Sequence, residues 1–133
     1  MWKLMRPDER AWQSRGGGVR TLHLITRRTG AVSFLSGITE FEPGASLPLH
    51  YHNCEEAVTI IEGTGRVEVD DQAADVATGD TVWISAGTPH RFLALSDNAL
   101  RIHWTYGSVE PTRTIVESGV TVAVGSDGDR NYE

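Results

Sequence analysis

Residues 44–56 of the chain read GASLPLHYHNCEE, and the chemistry of the sequence is concentrated in this stretch. His50 and His52 are two residues apart, so on an extended chain their imidazoles lie on the same face. The polar residues 53–55 predict a turn or bulge. Glu56 then begins a strand whose interior face continues with apolar residues, and a buried carboxylate is costly unless it is paired or binds a metal. Two imidazoles beside such a carboxylate indicate metal ligands.

A further histidine follows a loop later in the chain. Residues 85–89 read SAGTP and connect a short predicted strand to His90. On the strand that begins there, His90, Phe92 and Ala94 share one face. This alternation places His90 in the interior beside an aromatic ring.

The rest of the chain is divided into short segments by 14 glycines and five prolines. Short alternating segments between turns are typical of an all-β sandwich or barrel. The glycines at 63 and 65 are interpreted as a turn, the helical pattern at 7–14 is too short to trust, and residues 126–133 are expected to be a frayed polar tail. The predicted strands are 19–26, 32–41, 56–61, 66–69, 73–77, 81–84, 91–95, 100–106, 114–117 and 120–124.

Composition excludes several classes of protein. A chain of 133 residues fits one domain. Its net charge of −6 and its scattered basic residues argue against nucleic-acid binding. No segment approaches the ~20 apolar residues of a membrane span, and the N-terminus lacks a signal-peptide core. The single cysteine, Cys54, cannot form an intramolecular disulfide. We therefore expect a cytoplasmic protein that binds neither nucleic acid nor membrane.

The histidine-rich stretch resembles the first motif of the cupin superfamily. That motif reads G-x5-H-x-H-x3-E-x6-G, and Gly44, His50, His52, Glu56 and Gly63 meet it at every spacing. Because five positions agree, the resemblance is highly specific for the fold.

The second cupin motif, G-x5-P-x-G-x2-H-x3-N, is met in part. Gly79, Gly87 and His90 match, whereas Ser85 stands where proline is usual and Ala94 where asparagine is usual. These departures affect a turn and a flanking position, not the ligand. The resemblance covers about residues 32–106. It implies a jelly-roll barrel of two packed antiparallel sheets at 32–106. Residues 1–31 would pack on the barrel or on a dimer partner, and 107–133 would form C-terminal strands and a polar tail.

The resemblance also implies a metal site. His50, His52, Glu56 and His90 take the four ligand positions for one divalent ion and leave one or two coordination positions open. The alternative is a barrel that has kept the motif but lost its metal. Nitrogen and oxygen donors of this kind suit iron, manganese, nickel, cobalt or zinc, and the ligand set does not choose among them.

Some neighbouring residues compete with these assignments. Glu55 could replace Glu56, but the motif spacing selects Glu56 and leaves Glu55 facing solvent. Cys54 as a thiolate ligand would favour zinc, although a small residue in a turn is its ordinary role. His23 and His103 are interpreted as structural histidines.

The substrate pocket is predicted from aromatic residues on the interior strands. Phe92 and Trp104 are the preferred candidates, because a barrel interior is lined by alternate residues of its strands. If Ile102, Trp104 and Tyr106 face the core, His103 points outward; if the register is opposite, His103 lines the barrel.

The resemblance implies a metal-dependent enzyme that acts on a small oxygen-bearing molecule, with a dioxygenase as the first choice. A redox-neutral isomerase or lyase and a non-catalytic binding or sensor protein are the alternatives, because a fold does not determine a function. Glu40 and Thr105 are candidate bases without support. Cupins commonly form dimers, so we also expect a homodimer to which residues 2–5 and 109–124 contribute.

Overall fold

Within residues 1–129, which the computed structural model describes, the chain forms one short 3₁₀ helix (Pro7–Glu9) and eleven β-strands. The strands are β1 (Gln13–Gly16), β2 (Val19–Ile25), β3 (Leu35–Phe41), β4 (His50–His52), β5 (Glu56–Val69), β6 (Gln72–Ala77), β7 (Thr81–Ile84), β8 (His90–Ala94), β9 (Leu100–Tyr106), β10 (Thr112–Ile115) and β11 (Thr121–Ala123).

The strands form two antiparallel sheets that share β5. The first sheet has the order β1-β2-β3-β9-β5-β7, and the second has the order β6-β5-β8-β4-β10-β11. Residues 56–63 of β5 pair in the first sheet and residues 64–69 pair in the second. Strands from all three predicted segments (1–31, 32–106 and 107–133) therefore join the two sheets. The prediction of an all-β jelly roll is confirmed.

The passage of β5 from one sheet to the other occurs at Gly63. The register shifts between Ile60 and Glu62, and Gly63 has a φ of 92°. A Cβ atom on Gly63 would lie 2.2 Å from the carbonyl oxygen of Ala99, so only glycine fits this bend. The sequence predicted two strands with a glycine turn between them. That prediction is wrong, because the glycines bend one continuous strand.

The core lies between the sheets and consists of alternate residues of the central strands. In β9 the buried residues are Leu100, Ile102, Trp104 and Tyr106, whereas His103 is half-buried on the outer face. Of the two orientations that the sequence left open for His103, the structure therefore shows the outward one. Burial of an apolar side chain of this size stabilises a fold by about 1.5–3 kcal/mol.

Trp104 is buried in this core because Gly37 leaves space for its ring and Thr39 accepts a hydrogen bond from its indole N–H. Its indole N–H donates to the hydroxyl oxygen of Thr39 at 2.9 Å, as a buried indole requires. A Cβ atom on Gly37 would lie 2.5 Å from the Trp104 ring. Gly37 on β3 thus lets the ring pack directly against the backbone.

The ends of the chain differ most from the sequence prediction. β10 and β11 lie at Thr112–Ile115 and Thr121–Ala123 rather than at 114–117 and 120–124, and β1 was not predicted. The expectation of a frayed tail at 126–133 is wrong for Asp129, which is buried. Residues 130–133 of that tail lie outside the described part of the chain. Between residues 1 and 129 we find no helix with the length and apolar character that a membrane crossing requires.

Candidate metal centre

Four side chains from three strands converge inside the barrel. His50 and His52 lie on β4, Glu56 is the first residue of β5, and His90 is the first residue of β8. His50 and His90 are direct cross-strand partners. Each of the four residues is between 1 and 6 % exposed. The structure therefore brings together the four residues that the sequence singled out, and we call this group the metal centre.

Each imidazole of the metal centre is fixed by a backbone carbonyl oxygen. A carbonyl can only accept a hydrogen bond, so the Nδ1 atom of each ring carries the proton and donates it. In a neutral ring, the Nε2 atom then has a free lone pair. The acceptors are the carbonyl oxygens of Pro48 (2.7 Å from His50), Thr112 (2.9 Å from His52) and Thr88 (2.9 Å from His90).

The free lone pairs point toward one space. The ligand atoms of the three histidines lie within 4.8 Å of one another. Glu56 Oε1 is 3.0 Å from His90 Nε2 and 3.5 Å from His52 Nε2. A carboxylate oxygen and a bare Nε2 are both acceptors, so a proton or a cation must lie between them. His52 Nε2 is buried and has no hydrogen-bond partner among the described residues.

The electrostatics of the metal centre favour the protonation states that a metal ion needs. Burial lowers the pKa of His50 well below its ordinary value, with further lowering by Arg113. Burial also lowers the pKa of His52 to about 4, against the opposing effect of Glu56. Burial alone would raise the pKa of Glu56, but His90, His52 and Arg113 beside it lower it. Neutral imidazoles and a carboxylate are metal ligands without further proton loss. The donor set therefore fits a divalent cation.

The loop before His90 is tied to β4. The Gly87 N–H donates to the carbonyl oxygen of His52 at 2.8 Å, and Gly87 adopts a φ of 77°. The hydroxyls of Ser85 and Thr88 are hydrogen-bonded at 2.6 Å. This bond holds the loop at the position where the motif usually has proline, so the departure at Ser85 leaves His90 in place.

The two predicted pocket residues both face the interior. Phe92 is buried in the apolar core, opposite Val67 of β5. Trp104 is connected to the metal centre through Tyr106, since its ring is 5.0 Å from that of Tyr106, which is 4.7 Å from the ring of His52. Their role in a substrate pocket stays a prediction.

The competing residues lie outside the metal centre. Glu55 is exposed and accepts a hydrogen bond from Trp83 at 3.0 Å. Cys54 is half-buried in the bend before β5, and burial raises the pKa of its thiol. His23 packs edge-on against Trp104, with ring centroids 5.5 Å apart. The predictions that Glu55 faces solvent and Glu56 faces inward are confirmed.

Neither candidate base is close to the metal centre. Glu40 forms ion pairs with Arg20 and Arg101 on the outer face of the first sheet, and Thr105 is half-buried on the outer face of β9. Sequence reasoning did not assign a role to Tyr106, whose ring packs on His52. The alternation Ile102, Trp104, Tyr106 is the signal that places it in the interior.

Comparison with known proteins agrees with this architecture. The family described as Cupin domain matches residues 37–106. Protein SchB of Streptomyces halstedii is 34 % identical over 98 residues, which cover 73 % of this chain and 70 % of that protein. Two solved structures share the fold. The polyketide cyclase RemF from Streptomyces resistomycificus has a TM-score of 0.76 at 21 % identity, covering 97 % of this chain and 89 % of that one. Oxalate decarboxylase from Bacillus subtilis has a TM-score of 0.71 at 22 % identity, covering 81 % of this chain and 30 % of that one.

Proposed function

Because the chain belongs to the cupin family, we propose that it is a metal-dependent enzyme acting on a small, oxygen-bearing organic molecule. His50, His52, Glu56 and His90 would hold one divalent ion of iron, manganese, nickel, cobalt or zinc. The observation that supports this proposal is the convergence of the buried His52 Nε2, which has no partner among the described residues, with two other imidazoles and a carboxylate.

A bound ion of this kind polarises a hydroxyl, carbonyl or enolate oxygen of a substrate, and a redox-active one also supports oxygen chemistry. The chain itself supplies the position and the dry environment. The carbonyl oxygens of Pro48, Thr88 and Thr112 fix the orientation and tautomer of the three rings, as partners of metal-binding histidines do. Phe92 and Trp104 are the proposed apolar walls of the substrate pocket.

Two reaction types are candidates. A redox-neutral reaction is supported by the cyclase, because the two chains align over 97 % and 89 % of their lengths and ring closure needs no oxidant. A dioxygenase, which the sequence resemblance placed first, is supported by a histidine and carboxylate donor set that suits iron. We place the redox-neutral reaction first because the cyclase also aligns with the segments outside the motifs.

Metal content is the first test of the proposed function. Plasma mass spectrometry on untagged protein should find about one equivalent of metal, as expected for a single four-ligand centre. His52→Ala and Glu56→Gln should lose it. Glu55→Gln is the matched control, since it alters the adjacent exposed carboxylate and should retain the metal. If the wild-type protein stays metal-free after loading with each of the five ions, the proposal is wrong.

Oxygen dependence separates the reaction types. With an enolic β-diketone as substrate, a redox-neutral enzyme should form product without oxygen and with zinc as its ion. A dioxygenase should consume one oxygen molecule for each substrate molecule and should be inactive with zinc. Binding of the substrate without turnover under either condition would instead indicate the sensor or storage role.

The homodimer stays a prediction. Large apolar side chains remain on the surface of the single chain, among them Trp2 at 83 % exposure and Trp83 at 66 %. Light scattering at micromolar concentration should give the mass of a dimer, and the mass of a monomer would contradict it. The cytoplasmic location also stays a prediction.

A further inference from the structure

Three charged side chains that the proposed function does not use are buried together beside the metal centre. Arg15 on β1, Arg113 on β10 and Asp129 near the C-terminus are each 4 or 5 % exposed, and we call them the arginine cluster. Arg15 Nη2 lies 3.1 Å from Asp129 Oδ1. Arg113 Nη1 donates to the same oxygen. One carboxylate oxygen therefore serves two guanidinium groups.

The arginine cluster has more hydrogen-bond donors and more positive charge than Asp129 can satisfy. Arg113 Nη2 donates to the hydroxyl of Tyr106 at 3.2 Å. The Nε atoms of Arg15 and Arg113 are buried and have no hydrogen-bond partner among the described residues. Burial and Arg113 lower the pKa of Arg15 to about 10. Burial alone would lower the pKa of Arg113, but Tyr106 and Asp129 raise it, so both arginines stay charged at neutral pH. A buried charge needs a partner, and the two guanidinium groups share a single contacting carboxylate. Glu56 also acts on both arginines electrostatically, but it contacts the histidines.

Asp129 reaches the arginines from a turn rather than from a strand. Its own N–H donates to the carbonyl oxygen of Ser126 at 3.0 Å. The Gly125 N–H donates to Asp129 Oδ2 at 2.8 Å. Residues 124–129 follow β11 and pair with no strand. A change in this short turn would therefore remove the carboxylate from the arginines without breaking either sheet.

The position of Asp129 separates the barrel interior from the outside. Asp129 and Arg113 line a cavity of about 10 Å³ in the interior, whose walls include Trp104 and Tyr106. The same two residues also line a groove of about 520 Å³ on the outside, next to Ile115. Displacement of Asp129 would therefore remove one of the two side chains that line both the cavity and the groove.

The arginine cluster adjoins the metal centre. Arg113 is the direct cross-strand partner of His52 in the pairing of β10 with β4. Tyr106 contacts both groups, since its hydroxyl accepts from Arg113 and its ring centroid is 4.7 Å from that of His52. A molecule with one group on the arginines would thus have its remainder next to the metal centre.

We propose that Arg15 and Arg113 form a subsite for the carboxylate group of an organic acid, and that Asp129 occupies this subsite as an internal substitute until the ligand displaces it. The identification of that acid as the substrate rests on the proposed function. A carboxylate is the favoured class because a side-chain carboxylate already fits the subsite, and arginine binds carboxylates through several donors at once.

The test is a benzoate titration of the full-length, metal-free protein. Asp129→Asn removes the competing charge and keeps the size of the side chain. Calorimetry should show benzoate binding about tenfold or more tighter than in the wild type, because the internal competitor is lost. Benzyl alcohol, which lacks the carboxylate, should not bind. Glu110→Gln is the matched control. It removes the carboxylate from the exposed ion pair of Glu110 with Arg27 and should leave benzoate binding unchanged. Adding Arg15→Gln to Asp129→Asn should abolish benzoate binding.

A second measurement uses the wild-type protein and does not depend on the folding of a variant. Benzoate should shift the ¹⁵N amide signal of Gly125 and speed its hydrogen exchange, because displacement of Asp129 removes the acceptor of that N–H. Benzyl alcohol should do neither. A folded Asp129→Asn variant that binds benzoate no tighter than the wild type would overturn the proposal. A Gly125 amide signal that does not shift in millimolar benzoate would also overturn it.

The two proposals can fail separately. The benzoate titration is done without metal, so it reports on the arginines alone. If the protein binds benzoate but never takes up metal, the proposed subsite is supported and the proposed enzyme is contradicted. If the protein binds metal but not benzoate, the proposed metal centre is supported and the proposed subsite is contradicted.

Discussion

Two buried polar groups lie side by side in this barrel, and they are opposite in chemistry. The metal centre presents imidazole nitrogens and a carboxylate, the donor set that a divalent cation would complete. The arginine cluster presents spare N–H donors and is partly satisfied by a carboxylate of the same chain. Tyr106 touches both groups. If both proposals hold, this barrel offers a cation site and an anion site that Tyr106 connects.

The largest effect should come from removing the internal carboxylate. Asp129→Ala removes the carboxylate that contacts both buried arginines, so the free energy of unfolding should fall by about 3–5 kcal/mol. Urea unfolding at neutral pH, with circular dichroism as the signal, measures the change.

The matched control is an ion pair on the surface. Glu110→Ala removes the partner of Arg27 from a pair whose side chains are 66 and 75 % exposed. Its effect should be below about 1 kcal/mol, because exposed pairs contribute little. Equal effects of the two substitutions would show that the arginine cluster is not sealed from water.

The two groups also differ in how far the sequence predicts them. The metal centre was predicted because His50, His52 and Glu56 lie within one short stretch, where strand alternation decides which side chains share a face. His90 needed the family resemblance, which supplied the long-range pairing. The arginine cluster was not predicted, since Arg15 and Asp129 are 114 residues apart in the sequence. Their meeting depends on where the chain ends pack, and alternation within one strand contains no information about that.

The fold shows the same division between local and long-range features. Local alternation placed β7 and β9 at the observed residues. It failed at Gly63, because a glycine between two apolar runs is equally compatible with a turn and with a bend in one strand. The close approach of the Ala99 carbonyl, on a neighbouring segment of the chain, favours the bend over the turn.

A second prediction uses pH to separate the two groups. In the metal-free protein, the pKa of His52 is 6.5 in the unfolded chain and about 4 in the folded chain. The unfolded state thus binds more protons between these values, so stability falls as the pH falls. From His52 alone, the free energy of unfolding should be about 2 kcal/mol lower at pH 5 than at pH 7. His50 acts in the same direction.

The arginine cluster should not contribute to the change in the free energy of unfolding between pH 7 and pH 5. Burial alone would raise the pKa of Asp129, but Arg113 and Arg15 lower it below its ordinary 3.8. Its contribution is therefore present above pH 3.8 and is lost only at lower pH. Urea unfolding in a chelator at several pH values tests this, and His52→Gln should flatten the slope between pH 7 and 5. A slope that this variant leaves unchanged would place the pH-sensitive group elsewhere.

The smallest effect should come from the residue that joins the two groups. Tyr106→Phe keeps the ring on His52 but removes the hydroxyl that accepts from Arg113, so another buried donor loses its acceptor. The free energy of unfolding should fall by about 1–2 kcal/mol, while metal content stays at the wild-type level. Tyr51→Phe, on the same strand as His52 but half-buried, is the matched control and should change stability less. If Tyr106→Phe also loses metal, the two groups are coupled through the hydroxyl. In that case ligand binding at the arginines would change the affinity of the metal centre by the same route.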